Sequence, residues 1–566
     1  MISQRGRLTI SSVLVGLAAL AVLLASEPRL AMVWDEGYTL GREARLRTWF
    51  RALRDPAAFA ASWQPPAVEL VQQAGAPPPR RDQVDSRSKL LFDPQVVAYF
   101  WPFAREEPHG HPPFYAMLGL AGDLLAPSWR ELPRARLGPM LLFTLAAAFL
   151  WRFLAERWGY WAAVGGVAAW IFQPRLFGHA HYATYDAVLT SLWALAILAF
   201  ARAVEVPANP RREVVGWLAI IGFALTLGAA LATKLTGWFL PVPFLVWTGW
   251  TRDRRAVRVL LFSLPLACLV LLLLNPPWWT EPVPGVWRFL QSNLTRGRTQ
   301  PIPVLFLGTI YQTPNESLPW YNTLVWTVMV TPVGFLLLAL AGMARVIRRR
   351  QEEPLGLLIL CHWLLLIALR ALPHTPGHDG VRLFLPAFGM LALLAGLGVK
   401  QLWDWLGHRA RVAVVAAVTE GVLSVLLMMP VPLSYFSPLV GALPGAASLG
   451  MEPTYYWDAL DGAARAWLRT HTGSDQTVHF ATFPTSWLYL SQIGELPRVH
   501  SLFDPGRPVW YVLQNRPGAW LPLDRQLVEH STPAYEVRKL GVPLVWIFPF
   551  AEVARSQVRL RNRSSE

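Results

Sequence analysis

Charge is scarce in this chain and cysteine nearly absent. Only 15% of the 566 residues are charged, where a soluble domain carries about a quarter. The two cysteines, Cys268 and Cys361, both fall inside apolar runs, with no CxxC pair and no disulfide framework. These shortages exclude a chain dissolved throughout in water, a disulfide-stapled secreted domain and a zinc-finger module. What is abundant is apolar: 54% of residues are hydrophobic, and runs of membrane-spanning length recur from residue 8 to about residue 430. The sequence is that of a polytopic membrane protein.

A net charge of +15 raises the question of a nucleic-acid partner. The basic residues sit in short clusters between apolar runs instead: PRR (210–212), TRDRRAVR (251–258), RVIRRR (345–350) and GHRAR (407–411). Short Arg-rich loops face the cytoplasm, so the charge reports topology rather than a nucleic acid. The 28 Trp and 48 Pro suit interfacial anchors and ordered connections. Arg5 and Arg7 before the first apolar run also fit a cleaved signal peptide, but a retained first helix is expected because further spans follow.

From a cytoplasmic N-terminus, spans are expected near 8–28, 137–154, 160–173, 187–203, 214–232, 238–250, 257–274, 323–343, 355–371, 383–400 and 412–430, about eleven in all. Segment 114–127 would invert everything after it if counted, so it is expected to lie along the surface or only dip in. The outer face then receives the first loop 31–136, the turns 174–186 and 232–238, the large loop 275–322, the loop 373–382 and the tail. Within the first loop, 41–63 carries Leu46, Trp49, Phe50 and Leu53 at helical spacing with Arg between them, an interfacial amphipathic helix. Residues 64–82 read as a mobile connection. The tail, 431–566, changes texture: a helix is expected over 455–472 and strands over 477–483, 498–503, 509–515 and 540–550. It is expected to form a small extracytoplasmic α/β accessory domain, beside a transmembrane module over 1–430.

Candidate chemistry lies on the outer face. Asp35 and Glu36 follow the first span, where they either cap the next helix, pair with Arg42 or Arg45, or act on a substrate. His109 and His111 stand in HGHPPFY, either solvated at a Pro-fixed helix entry or facing a ligand. In PRLFGHAHYATYD, Asp186 sits at the mouth of a span, beside Arg175 and Tyr185, and His179 and His181 make an H-x-H pair with a weak resemblance to metal ligands. Lys234 and Arg382 are at outer span ends, snorkelling or binding an anion. One carboxylate and one or two cations at one membrane surface suffice for sugar transfer from a lipid phosphate. The carboxylate takes the acceptor's proton, and Lys or Arg holds the phosphate as charge builds.

The order of these segments resembles the GT-C glycosyltransferases of the protein O-mannosyltransferase and lipid A aminoarabinose transferase superfamily. WDEGYT is similar to the acidic signature of that family's first outer loop, and HGHPPFYAMLGL to its HPPLYY-type segment. YATYDAVLT resembles its Asp before a span and ALATKLTGWF its Thr-Lys-Gly turn. NPPWW (275–279) and HDGVRLFLPAF (378–388) extend the likeness across residues 8 to about 430. The resemblance implies a GT-C fold and an inverting transferase using a polyprenyl-phosphate sugar. It implies Asp35 as the base, with Glu36 and Asp186 as further catalytic acids. His109, His111, Arg175, Tyr185, Lys234 and Arg382 are the candidate substrate-binding residues. The chain has Lys-Leu-Thr-Gly where many members have Lys-Gly, and its acids are adjacent rather than D-x-D, so no obligatory metal is inferred. A hydroxyl acceptor, on a protein or a cell-envelope glycolipid, and the inner membrane are the expected partners and place. The alternative classes are a transporter or lipid flippase, which would show midplane charge and paired broken helices, and an inactive assembly subunit.

Overall fold

A computed structural model of the protein describes residues 3–66, 76–103, 110–205, 213–299, 302–312, 316–375, 377, 379–501 and 504–563. His109 and part of the connection expected over 64–82 lie outside the described residues. The chain is mainly helical. Helix α1 (Gln4–Ser26) is followed by α2 (Trp34–Arg54), and a bundle begins with α3 (Glu131–Trp158), α4 (Tyr160–Phe172) and α5 (Pro174–His181). It continues through α6 (Tyr185–Glu205), α7 (Glu213–Leu231), α8 (Pro241–Thr251), α9 (Arg254–Leu273) and α10 (Pro282–Thr299). Helices α11 (Val333–Arg348), α12 (Pro354–Ala371), α13 (Pro386–Leu406) and α14 (Ala410–Met428) complete it.

Among the described residues, 7 segments are long and apolar enough to cross a membrane. One of them, Pro386–Met428, is the pair α13 and α14, interrupted by a short 3-10 turn at Gly407–Arg409. Three other expected spans fall on shorter helices: α4 with 13 residues, α8 with 11 and α11 with 16. The span expected over 323–343 is broken because Pro332 stands between Asn322–Val330 and α11 and cannot continue a helix. Segment 114–127 forms two short helices, Phe114–Gly119 and Ala121–Leu125, which together are too short to cross. Large apolar side chains such as Leu14, Leu261 and Leu426 are exposed on the helix exteriors, as a lipid-facing surface requires.

Helices α11 and α13 approach closely because glycines meet there. A Cβ on Gly342 would strike the Leu394 carbonyl, and one on Gly398 the Leu338 carbonyl. Small residues at such crossings let backbones touch where lipid offers no hydrophobic drive.

Helix α2 starts earlier than the expected amphipathic segment and is not an interfacial helix with its arginines in water. Arg42, Glu43 and Arg45 are buried along with Leu40, Leu46 and Trp49. Arg42 Nη1 donates to Tyr115 Oη at 2.7 Å, and Arg45 Nη1 to the Tyr99 carbonyl at 2.8 Å. The outer helices Arg87–Phe92 and Pro94–Phe100 fold over it, so the apolar stripe and the arginines are both enclosed.

The tail carries a four-stranded sheet in the order β3-β4-β6-β5, with β3 (Gln476–Phe480) parallel to β4 (Arg507–Gln514) and β6 (Val542–Pro549) antiparallel to β4 and to β5 (Tyr535–Lys539). A separate hairpin, β1 (Pro303–Phe306) and β2 (Thr309–Gln312), lies in the large loop. The strand expected over 498–503 is reduced to a bridge from Val499 to Val478, and β5 was not expected. The helix expected over 455–472 is Gly462–Thr470 only, with Asp461 accepting from the Ala464 amide at 2.9 Å as its cap. Before it, Tyr456 and Trp457 take φ of 63° and 65°, which no helix admits. One hydrophobic core runs from Ala19 to Ile547, joining the tail to the bundle.

Candidate active site

Asp35 and Glu36 occupy the first turn of α2, one residue apart and therefore facing different directions. Glu36 points inward and is fully buried. Its two carboxylate oxygens each accept from Arg136 at 2.7 Å, from Nε and Nη2, the fork-on-fork pairing that guanidinium and carboxylate favour. It also accepts from the Val33 amide and the Ala183 amide, each at 3.0 Å. Arg136 adds Glu27 at 2.9 Å and the Ala31 carbonyl at 3.0 Å. Glu36 is thus a helix cap and a buried clamp between α2, α3 and the turn before α6. The described partners of its carboxylate do not include Arg42 or Arg45.

Asp35 turns the other way. The described hydrogen bonds to its side chain all fall on Oδ2: Tyr185 Oη donates at 2.6 Å, Tyr456 Oη at 2.8 Å, and Arg382 Nη2 closes an ion pair. Its side chain keeps 15% of its exposure. The docking of the tail fixes this helix start. Ser486 Oγ donates to the Val33 carbonyl at 2.7 Å and accepts from the Gly37 amide at 3.2 Å. A Cβ on Gly37 would run into the Ser486 backbone, so the approach needs glycine there.

Arg382 is the hub. It leaves the short turn Arg382–Phe384 just before α13 and is 6% exposed. Nε donates to Asp186 Oδ2 at 2.7 Å and Nη1 to Asp379 Oδ2 at 3.1 Å, while Nη2 meets Asp35. The Tyr456 ring lies 4.0 Å from its guanidinium carbon. Burial alone would pull its proton affinity down, but Asp35, Tyr185, Tyr456 and Asp186 outweigh that and hold it above the ordinary arginine value. Asp186, at the start of α6, takes Lys234 Nζ at 2.6 Å on its other oxygen. Burial lowers the Lys234 ammonium from its usual value, and Asp186 only partly restores it. Asp379 passes the chain on to Arg516 in the tail at 3.0 Å. Burial pushes Asp379 up, but Arg516 and Arg382 prevail and keep it below the usual carboxylate range.

Beside this cluster opens a cavity of about 280 Å³. Tyr185, Lys234, Arg382, His111, Arg296 and Arg370 line it together with the polar Thr236, Asn293, His374 and Thr375, and six leucines, among them Leu235, Leu366 and Leu369, give much of its apolar wall. Asp35 stands one hydrogen bond behind that wall, across Tyr185 and Arg382. His111 stacks edge-on to Tyr185 at 4.4 Å, and its Nδ1 has no partner among the described residues. Burial, then Lys234 and Arg296, lower its proton affinity, so the imidazole is neutral.

The expected site residues therefore separate. Asp35, Asp186, Tyr185, Lys234 and Arg382 meet, and His111 joins them at the cavity. Arg175 does not. It is buried among the rings of Trp326, Phe436 and Tyr455 and donates from Nε to the Tyr435 carbonyl at 3.1 Å, outside the cavity. His181 is hydrogen-bonded at both ring nitrogens, to the Phe177 carbonyl at 2.7 Å and Ser26 Oγ at 2.8 Å. Among the described residues, no group of three or more His, Cys, Asp or Glu could hold a metal ion. Sequence reading missed Tyr456 and Arg516, because the tail gave no sign that it reaches the site, and Arg370, which reads as one more basic span end.

Residues 111–279 match the family model described as dolichyl-phosphate-mannose-protein mannosyltransferase. That range holds His111, Tyr185, Asp186 and Lys234 but not Asp35 or Arg382. ArnT from Cupriavidus metallidurans in the apo state is similar at 16% identity, with 94% of this chain and 97% of that chain covered and a TM-score of 0.48. ArnT of the same organism bound to undecaprenyl phosphate gives 15%, 95% and 97%, and 0.46. Archaeal oligosaccharyltransferase AglB from Archaeoglobus fulgidus, in complex with an inhibitory peptide and a dolichol-phosphate, gives 13%, 88% and 69%, and 0.44. No curated protein sequence matches the chain.

Proposed function

We propose that this protein is a membrane glycosyltransferase of the GT-C superfamily that moves one sugar from a polyprenyl phosphate to a hydroxyl acceptor, with inversion and with Asp35 as the base. The observation that carries the reading is the wall between Asp35 and the cavity. On one side is an apolar-walled, cation-lined space of about 280 Å³ suited to an anionic lipid head. On the other is a carboxylate whose Oδ2 is fixed by Tyr185, Tyr456 and Arg382. The matched family model names a dolichyl-phosphate sugar as donor, which supports the lipid.

In this mechanism the donor's phosphate lies by Lys234 and Arg382 and its anomeric carbon faces Asp35. The free oxygen of Asp35 takes the acceptor's proton as that hydroxyl attacks the carbon. The bond from carbon to phosphate oxygen breaks on the opposite face, and the electron pair leaves with the polyprenyl phosphate, inverting the centre. No general acid is needed, because the leaving group is already a stable anion. Asp186 acts as a positioning residue, holding Lys234 and Arg382 at the cavity wall, and Glu36 holds the helix that carries Asp35. Cations of the chain meet the phosphate charge, so no obligatory metal is inferred. The protein works in the inner membrane with this site on the extracytoplasmic face, the side that the Arg-rich loops avoid.

Purified protein in detergent, supplied with a panel of radiolabelled polyprenyl-phosphate sugars and crude envelope acceptor, tests this. Release of polyprenyl phosphate with one sugar is the expected result. The same protein reconstituted in vesicles, taking donor up without release of polyprenyl phosphate from any of the panel, would replace the transferase by a transporter.

A further inference from the structure

Lys234 and Arg382 line the cavity, yet their charges are already met: Lys234 by Asp186 at 2.6 Å, and Arg382 by Asp35, Asp186 and Asp379. Arg370 differs. It sits in the last turn of α12, is 3% exposed and lines the same cavity. Among the described residues, none of its Nε, Nη1 and Nη2 has a hydrogen-bond partner. A guanidinium left unpaired in a membrane helix is costly, and such a charge persists where something outside the chain balances it. The carbonyls at the end of α12 are an alternative partner, but no hydrogen bond to them is made. The surrounding wall shows what the balancing group is attached to. Leu366, Leu369 and Leu383 line the cavity with Arg370, and Leu372, at its rim, is 56% exposed.

We propose that Arg370 takes the phosphate of a polyprenyl phosphate, as the one described cationic side chain in this cavity that lacks any protein partner. The inference rests on the donor reading above. It also gives Arg370 a part in turnover. The donor's phosphodiester carries one negative charge, and breaking the sugar bond leaves a monoester that gains a second. A guanidinium with no carboxylate of its own responds to that gain, whereas one already shared among three carboxylates does so less. Arg370 therefore binds the departing polyprenyl phosphate more tightly than the sugar-bearing donor.

The test is polyprenyl phosphate binding to full-length protein in detergent, followed by intrinsic tryptophan fluorescence, for wild type, Arg370→Leu and Arg370→Lys. Wild type should bind. Arg370→Leu should bind about 10- to 100-fold more weakly, the worth of a charge-assisted hydrogen bond, and Arg370→Lys should recover part of the loss. The lipid-free unfolding midpoint of Arg370→Leu should equal or exceed that of wild type, since an unpaired charge is removed. Unchanged affinity in Arg370→Leu overturns the inference, and so does a lowered lipid-free midpoint, which would make Arg370 a structural residue. Should the leucine variant not fold, Arg370→Gln gives the same comparison. Inorganic phosphate or phosphatidylglycerol binding wild type as tightly would overturn it in favour of a free-phosphate or general anionic-lipid site. Absence of polyprenyl phosphate binding by wild type would instead remove the donor reading itself.

Discussion

Lys234 Nζ lies 2.6 Å from Asp186 Oδ1, and both side chains are almost wholly buried. Removing Lys234 leaves Asp186 with Arg382 as its one remaining cation, a cost below the about 3–5 kcal/mol of a fully stranded buried charge, whereas removing both members of the pair is milder still. Lys234→Met should therefore destabilise the protein, and adding Asp186→Asn should restore part of the loss. Denaturant titration in detergent reads both. Equal stability of Lys234→Met and wild type would contradict the pairing.

Glu36 and Asp35 are neighbours in sequence with separate tasks. Glu36→Gln leaves Arg136 with a weakened buried clamp and should cost about 3–5 kcal/mol in stability. The check is the unfolding midpoint against that of Asp35→Asn, which should unfold close to wild type. The opposite order of midpoints would reverse the two assignments.

Stability should also depend on pH through the tail. Burial raises the Asp458 carboxyl to about 7, against a lowering by Arg175, and raises Glu452 to about 7, against Arg516. Both groups bind protons more tightly folded than unfolded. Their contribution is full below about pH 4 and is lost as pH rises through about 7. Asp379, held low by Arg516 and Arg382, stays ionised throughout that window. The unfolding midpoint should fall between pH 5 and 8, and Asp458→Asn should flatten the slope. An unaltered slope in that variant would show that Asp458 ionises normally.

Because Lys234, Arg382 and Arg370 stand at the cavity, transfer should continue in excess EDTA. Complete loss, restored by a divalent ion, would return His179 and its neighbours to a metal-binding role.

Much of this arrangement was legible beforehand, and for one reason: topology. Alternating spans carried Asp35, Asp186, Lys234 and Arg382 to the same face, so charges more than 300 positions apart, as in the pair Arg382 and Asp35, were expected together. The division of labour between Asp35 and Glu36 was not legible, because it depends on the direction in which α2 starts. Arg42 and Arg45 read as water-facing, since nothing in 41–63 shows that Arg87–Phe100 will cover them. Local propensity places Tyr456 in a helix. Its docking against Arg382 and Trp34 holds it at positive φ instead, and tertiary contact overrides the local preference.

Asp35 carries the proposed chemistry most directly. Sugar transfer should be measured for wild type, Asp35→Asn and Asp35→Glu, each confirmed folded by its unfolding midpoint. Asp35→Asn should lose about 10²- to 10⁴-fold in kcat, the range of a removed general base, with donor KM little changed and Asp35→Glu partly active. Turnover by Asp35→Asn within a few-fold of wild type would contradict Asp35 as the base.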